Sequence, residues 1–98
     1  PQSHREWEFL WQPPREQAGE KELPLMLQGV IDCCFLEEGE WVLLDYKTDA
    51  VRTTPREAAL PHAPQLRLYA RALAQLTGMP VREGHVYLLA AGQSVRLI

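Results

Sequence analysis

The sequence has no run of 18 apolar residues and no basic-then-apolar leader, so no membrane-spanning helix or secretory signal is expected. A soluble cytoplasmic chain with no membrane partner is the expectation. It has no G-x-x-x-x-G-K-[ST] loop, so any ATP-driven activity belongs outside it. Its two cysteines, Cys33 and Cys34, are adjacent. In a strand they point to opposite faces, which suits neither a disulfide nor a zinc or iron–sulfur site. Buried free thiols fit a reducing compartment. Positive charge is also in short supply: 10 basic against 13 acidic residues leave a net −3, with no strongly basic footprint. No repeat or low-complexity tract appears. With 98 residues, 46% of them hydrophobic, the chain can build one small core. It opens at Pro1 rather than Met, which is expected of a piece of a larger polypeptide.

What the sequence does contain is concentrated between Leu25 and Asp49. Two apolar runs, roughly Leu25 to Leu36 and Trp41 to Thr48, flank the acidic turn Glu37-Glu38-Gly39-Glu40 and read as a β-hairpin. With the turn centred between Glu38 and Gly39, facing residues have numbers that sum to 77, which sets Asp32 opposite Asp45. A turn one residue longer or shorter would make the pair diagonal. Alternation puts Asp45 and Lys47 on one face with Tyr46 pointing away, and groups Asp32 with Gln28, Val30, Cys34 and Leu36. Carboxylates directly opposite each other repel, so the pattern asks for a cation between them. Oxygen donors suit Mg²⁺ or Mn²⁺, whereas zinc favours His and Cys. Without a metal, one of the two pKa values should rise. An isolated D-x-K is more often a plain ion pair, and the opposed Asp32 tips the balance towards a site.

Around the hairpin, residues 5 to 12 read as a strand with Glu6 and Glu8 on one face and Trp7, Phe9 and Trp11 on the other. Pro13 to Leu23 reads as an exposed loop, and residues 49 to 60 as a connection whose Arg52 and Arg56 are more often solvated charges than phosphate contacts. Residues 63 to 77 form a helix with a stripe of Leu66, Tyr69, Ala70, Leu73 and Leu76, opened by Pro64 and closed by Gly78 and Pro80. Gln65 and Tyr69, four apart, are neighbours on its surface. Residues 84 to 91 and Ser94 to Ile98 read as two further strands joined at Gly92-Gln93. A helix between strands implies a crossover and a mixed sheet, an α/β fold. Gly29 within the first hairpin strand marks a bulge or a close backbone approach.

Three segments together, Gln28-Gly29-Val30-Ile31-Asp32, Asp45-Tyr46-Lys47-Thr48-Asp49 and Gln65-x-x-x-Tyr69, resemble the nuclease domain of the RecB family within the PD-(D/E)xK superfamily. Within that family the chain is most similar to the AddA branch, the C-terminal part of one component of bacterial ATP-dependent helicase–nucleases. Arg5-Glu6-x-x-Phe9 matches the strand ahead of the hairpin, so the resemblance covers nearly the whole chain. It implies a restriction-endonuclease-like core, with Asp32 and Asp45 as metal ligands, Lys47 as the catalytic lysine and the Tyr46 carbonyl as a further ligand for Mg²⁺ or Mn²⁺. It implies a substrate-positioning role for Gln65 and Tyr69, joined by His62. Thr48 and Asp49 lie in the signature, and Glu6 is a further acidic candidate. It also implies three partners: DNA as substrate, a helicase domain in the same parent chain and a second helicase–nuclease subunit. Two departures stand out. His62 occupies a position where the family has tyrosine, making that contact pH-dependent. The family's histidine-bearing helix before the first strand has no counterpart in this sequence, and His4 lies too close to the first strand to replace it.

The expected chemistry is hydrolysis of a phosphodiester, with the metal polarising the phosphoryl oxygen and Lys47 orienting or deprotonating water or stabilising charge. Two other readings compete with it. One is a nuclease-like module that holds DNA or a partner without cutting. The other is a carboxylate-pair hydrolase such as a glycosidase, which the nearby lysine argues against.

Overall fold

The computed structural model describes residues 3–14 and 26–98. Among these, one sheet runs in the order β1 (Ser3–Trp11), β2 (Leu27–Glu37), β3 (Glu40–Lys47), β4 (Val81–Leu88) and β5 (Gln93–Arg96). β1, β2 and β3 pair antiparallel, β3 and β4 parallel, and β5 returns antiparallel to β4. The parallel step needs a crossover. It is made by a short helix α1 (Pro55–Ala59), a 3-10 turn (Leu60–His62) and the main helix α2 (Ala63–Thr77). The sheet is therefore mixed, as expected. The loop expected over residues 13 to 23 lies, beyond Pro14, outside the described residues.

The hairpin turn decides the register. Glu38 and Gly39 both have positive φ, 53° and 79°, giving a two-residue turn whose twist matches that of the flanking strands. The ladder then pairs Glu37 with Glu40 and continues to Cys33 with Leu44, each pair summing to 77.

Helix α2 spans the residues that its periodicity predicts, and Gly78 at φ 75° closes it. Leu66, Ala70 and Leu73 enter the core with Phe9, Trp11, Ile31, Cys34, Trp41, Leu43, Val86 and Leu88. Leu76 does not, remaining 46% exposed. The last place in the stripe goes to Thr77 instead. Its Oγ accepts from Trp41 Nε1 at 2.9 Å and donates to the Leu73 carbonyl at 2.7 Å. Trp11 Nε1 likewise donates to Gln75 Oε1 at 2.6 Å. A polar C-terminal turn thus satisfies two buried indoles and pins the helix to β1 and β3.

Three other expectations need correction. β4 begins at Val81, not Gly84, because Trp41 N–H bonds the Pro80 carbonyl and draws that segment into the ladder. It ends at Leu88, whose carbonyl takes the N–H groups of both Ala91 and Gly92. The stretch read as plain connection contains α1, capped by Thr54, whose Oγ accepts from Glu57 N–H at 3.2 Å. Thr54-Pro55-Arg56-Glu57 has the sequence pattern of a capping box with proline at the first turn, a signal legible in the residues themselves.

The strict alternation along β2 also fails. Gly29 lies against Tyr69 of α2, yet Cys34, five residues on, is fully buried in the same core. On a regular strand those positions face opposite ways. Val30 is exposed while Cys34 is buried, so the expected set of Gln28, Val30, Asp32, Cys34 and Leu36 divides. The switch lies around Asp32. On β1 the residue in the same register is Glu6, with φ 52°, between the pairs Arg5–Cys33 and Trp7–Ile31. The two adjacent strands change face at the same level.

Candidate active site

The β2–β3 ladder stops at Cys33–Leu44, one step before Asp32 and Asp45 would face each other. There a side chain replaces the backbone partner: Asp32 Oδ2 accepts from the Tyr46 N–H at 2.9 Å. Asp45 is held from the other side by the parallel ladder, where it pairs with Val86 and Lys47 pairs with Leu88. Val86 and Leu88 are completely buried, so these two candidate side chains stand on a firmly packed element.

Lys47 Nζ lies 3.3 Å from Asp45 Oδ2. The Asp45 side chain is only 14% exposed. Burial, then its hydrogen bond to Asp32, pushes its pKa up to about 6, while Lys47 pulls the other way. The rise anticipated for one member of the pair is therefore present. Its physical content is that the Asp45 carboxylate is costly to ionise where it sits, through burial first and the neighbouring Asp32 second. The Tyr46 ring points away, as alternation requires, and meets Tyr87 edge-on at 6.2 Å.

Gln65 Nε2 donates to the Tyr69 hydroxyl at 3.4 Å. The Tyr69 ring meets Phe9 edge-on at 5.1 Å and its hydroxyl end lies over Gly29, three residues before Asp32 on β2. The helix motif is thereby placed on the strand that carries one of the carboxylates. Gly29 marks a close approach, not a bulge, since the pairs around it keep one register. His62 Nε2 lies 3.2 Å from Asp49 Oδ2, joining the segment after β3 to the turn before α2. No local pattern announced that contact.

Other candidates stay apart. Thr48, Arg52 and Arg56 are exposed on the segment that follows β3. Glu6 is level with Asp32 in register, but its side chain is exposed. His4 lies against Trp41, with ring centroids 5.9 Å apart, and pairs with Cys34. Among the described residues no group of three His, Cys, Asp or Glu could hold a metal. Both cysteines are free, and burial, reinforced by Cys33, pushes the Cys34 thiol up to about 11. No helix among the described residues is long and apolar enough to cross a membrane.

The chain matches the profile of the PD-(D/E)XK nuclease superfamily over residues 2–96. It belongs to that superfamily. It is 42% identical over 74 residues to the ATP-dependent helicase/nuclease AddA of Clostridium novyi, covering 74% of this chain and 6% of the relative. It is 39% identical over 97 residues to the AddA protein of Desulforudis audaxviator, covering 92% of this chain and 8% of the relative. With the AddA protein of Ruminiclostridium cellulolyticum it shares 36% over 86 residues, 87% of this chain and 7% of the relative. The chain thus spans 6% to 8% of the length of these relatives. The mixed sheet with its crossover helix fits the superfamily's restriction-endonuclease-like fold, and the likeness to the AddA branch is borne out. A glycosidase reading is set aside.

Proposed function

We propose that this PD-(D/E)XK chain is a metal-dependent exodeoxyribonuclease domain, the C-terminal part of a larger helicase–nuclease polypeptide. In that setting its partners are DNA, the helicase domain of the parent chain and a second helicase–nuclease subunit. Its role is the processing of double-strand breaks for recombinational repair, in the bacterial cytoplasm. The relatives named as ATP-dependent helicase/nucleases support this setting. One observation carries the chemistry: two carboxylates meet at a strand end with an ammonium 3.3 Å from one of them.

The donor set of Asp32, Asp45 and the Tyr46 carbonyl consists of hard oxygens, and burial together with Asp32 makes the Asp45 carboxylate costly to ionise, a cost that a bound cation would offset. These residues fit Mg²⁺ or Mn²⁺, which can complete its shell with water and substrate phosphate. When bound, such an ion supplies Lewis-acid polarisation of the phosphoryl group and an acidified water. The chain's own residues do the rest. Asp45 holds Lys47 in place through their ion pair. The Lys47 ammonium stabilises the negative charge that gathers on the phosphoryl oxygens as water adds and the ester P–O bond breaks. Gln65 and Tyr69 hold the strand being cut, and His62 with Asp49 fixes the start of their helix relative to Lys47. The products are a phosphomonoester and an alcohol.

The lack, among the described residues, of a third His, Cys, Asp or Glu side chain beside the two carboxylates favours a second reading, a nuclease-like module that holds DNA without cutting. Titration calorimetry with Mn²⁺, paired with digestion of end-labelled linear DNA, separates the two. Metal binding and Mg²⁺-dependent digestion that vanish in Asp45→Ala support the enzyme. Digestion that persists in EDTA or in Asp45→Ala would sink it. DNA binding with neither metal uptake nor cutting would establish the module.

A further inference from the structure

Gly29 is a glycine for an unusual reason. Its φ is not positive, unlike those of Gly39, Gly78 and Gly92, so its backbone does not need glycine's freedom. What it needs is the space. A Cβ at this position would stand 2.6 Å from the Tyr69 hydroxyl oxygen, 2.8 Å from Tyr69 Cζ and 3.1 Å from Phe9 Cζ. The first two distances are shorter than any ordinary carbon contact, so a side chain at 29 must displace the Tyr69 ring. Phe9 closes the other side, edge-on to the same ring at 5.1 Å. The bare backbone of β2 and the Phe9 ring together form a seat for one phenol. Gln65 Nε2, donating at 3.4 Å, occupies acceptor capacity of the hydroxyl oxygen. A phenol whose oxygen already accepts turns its own proton outward to an acceptor, and the non-bridging oxygen of a phosphodiester is one.

We propose that Gly29 is a positioning residue for the substrate: its missing side chain seats the Tyr69 hydroxyl, backed by Gln65, as a donor to the DNA phosphate. The inference rests on the nuclease reading for its ligand and on the contacts at residue 29 for its geometry. Gly29 touches no substrate and acts through Tyr69 alone. Sequence spacing puts Gln65 beside Tyr69, but nothing in it puts either beside Gly29.

The test has two arms, both on the full 98-residue chain. The first follows the Tyr69 ring resonances by NMR in Gly29→Ala, where displacement from Phe9 should shift them; an unchanged ring overturns the seat whatever the protein binds. The second measures binding of a short single-stranded oligonucleotide with Ca²⁺ present, by fluorescence anisotropy. The variants are Gly29→Ala, Tyr69→Phe, Tyr69→Ala and Gly29→Ala/Tyr69→Ala. Gly29→Ala and Tyr69→Phe should each weaken binding about ten-fold, the cost of one hydrogen bond to a charged acceptor. In the Tyr69→Ala background, where the space is vacant, adding Gly29→Ala should change affinity less than about two-fold. That background also answers for folding, because it removes the clash. Equal loss in both backgrounds, or wild-type affinity in Gly29→Ala, overturns the proposal. A shifted ring in a chain whose wild type binds no DNA places the failure in the nuclease reading instead.

Discussion

Replacing Asp45 by asparagine should make this chain more stable at neutral pH while disabling its site. The carboxyl of Asp45 has a pKa of about 6 in the fold against an ordinary 3.8. Between those values the folded state holds a proton that the unfolded state has released, so stability falls as pH rises through that window. Well below pH 4 both states are protonated and the penalty is absent. Above pH 6 it is complete, and about two pKa units correspond to about 3 kcal/mol. The side chain is only 14% exposed, so solvent screens little of this. Asparagine is always neutral, and its amide can donate to Asp32 where the carboxyl proton did. Urea denaturation in EDTA, followed by tryptophan fluorescence at pH 4, 5, 6 and 7.5, provides the comparison. The variant and wild type should be similar at pH 4 and should diverge to about 3 kcal/mol in the variant's favour at pH 7.5. Adding Mn²⁺ should stabilise the wild type and leave the variant unmoved. Equal stability at pH 7.5, or a variant less stable there, would refute the reasoning that burial beside Asp32 makes the Asp45 carboxylate costly.

Other outcomes follow from individual contacts. Lys47→Met removes the group that lowers the Asp45 pKa, so the NMR titration of the Asp45 carboxyl should move to higher pH and DNA digestion should be lost. Thr77→Val deprives the Trp41 indole and the Met79 N–H of their partner. It should cost about 1–3 kcal/mol in urea denaturation, whereas Thr77→Ser should cost much less. Thr54→Ala removes the α1 cap and should cost about 1 kcal/mol in the same assay. Native chain treated with a thiol reagent at pH 8 should modify at Cys33 before Cys34, whose thiol is fully buried and titrates near 11, and at both once unfolded.

The sequence by itself determined the hairpin and its register, because a two-residue turn at Glu38-Gly39 is local chemistry and the pairs from Glu37–Glu40 to Cys33–Leu44 follow by counting. It determined the extent of α2, whose 3.6-residue spacing and terminal Gly78 need no other part of the chain. It set Asp32 and Asp45 one step past the last pair of that ladder and put Lys47 on the face of Asp45 by the same arithmetic. Tertiary structure alone decided the rest, since each remaining feature joins segments distant in sequence. The face switch at Glu6 and Asp32 needs two strands to deform at one level. Leu76 lost its core place because two tryptophan indoles, one on β1 and one on β3, required polar partners at the end of α2. The His62–Asp49 contact and the seating of Tyr69 on Gly29 depend on where the crossover sets the helix down. The Asp45 pKa depends on burial by the packed sheet, and burial is a property of the assembled fold rather than of any stretch of sequence.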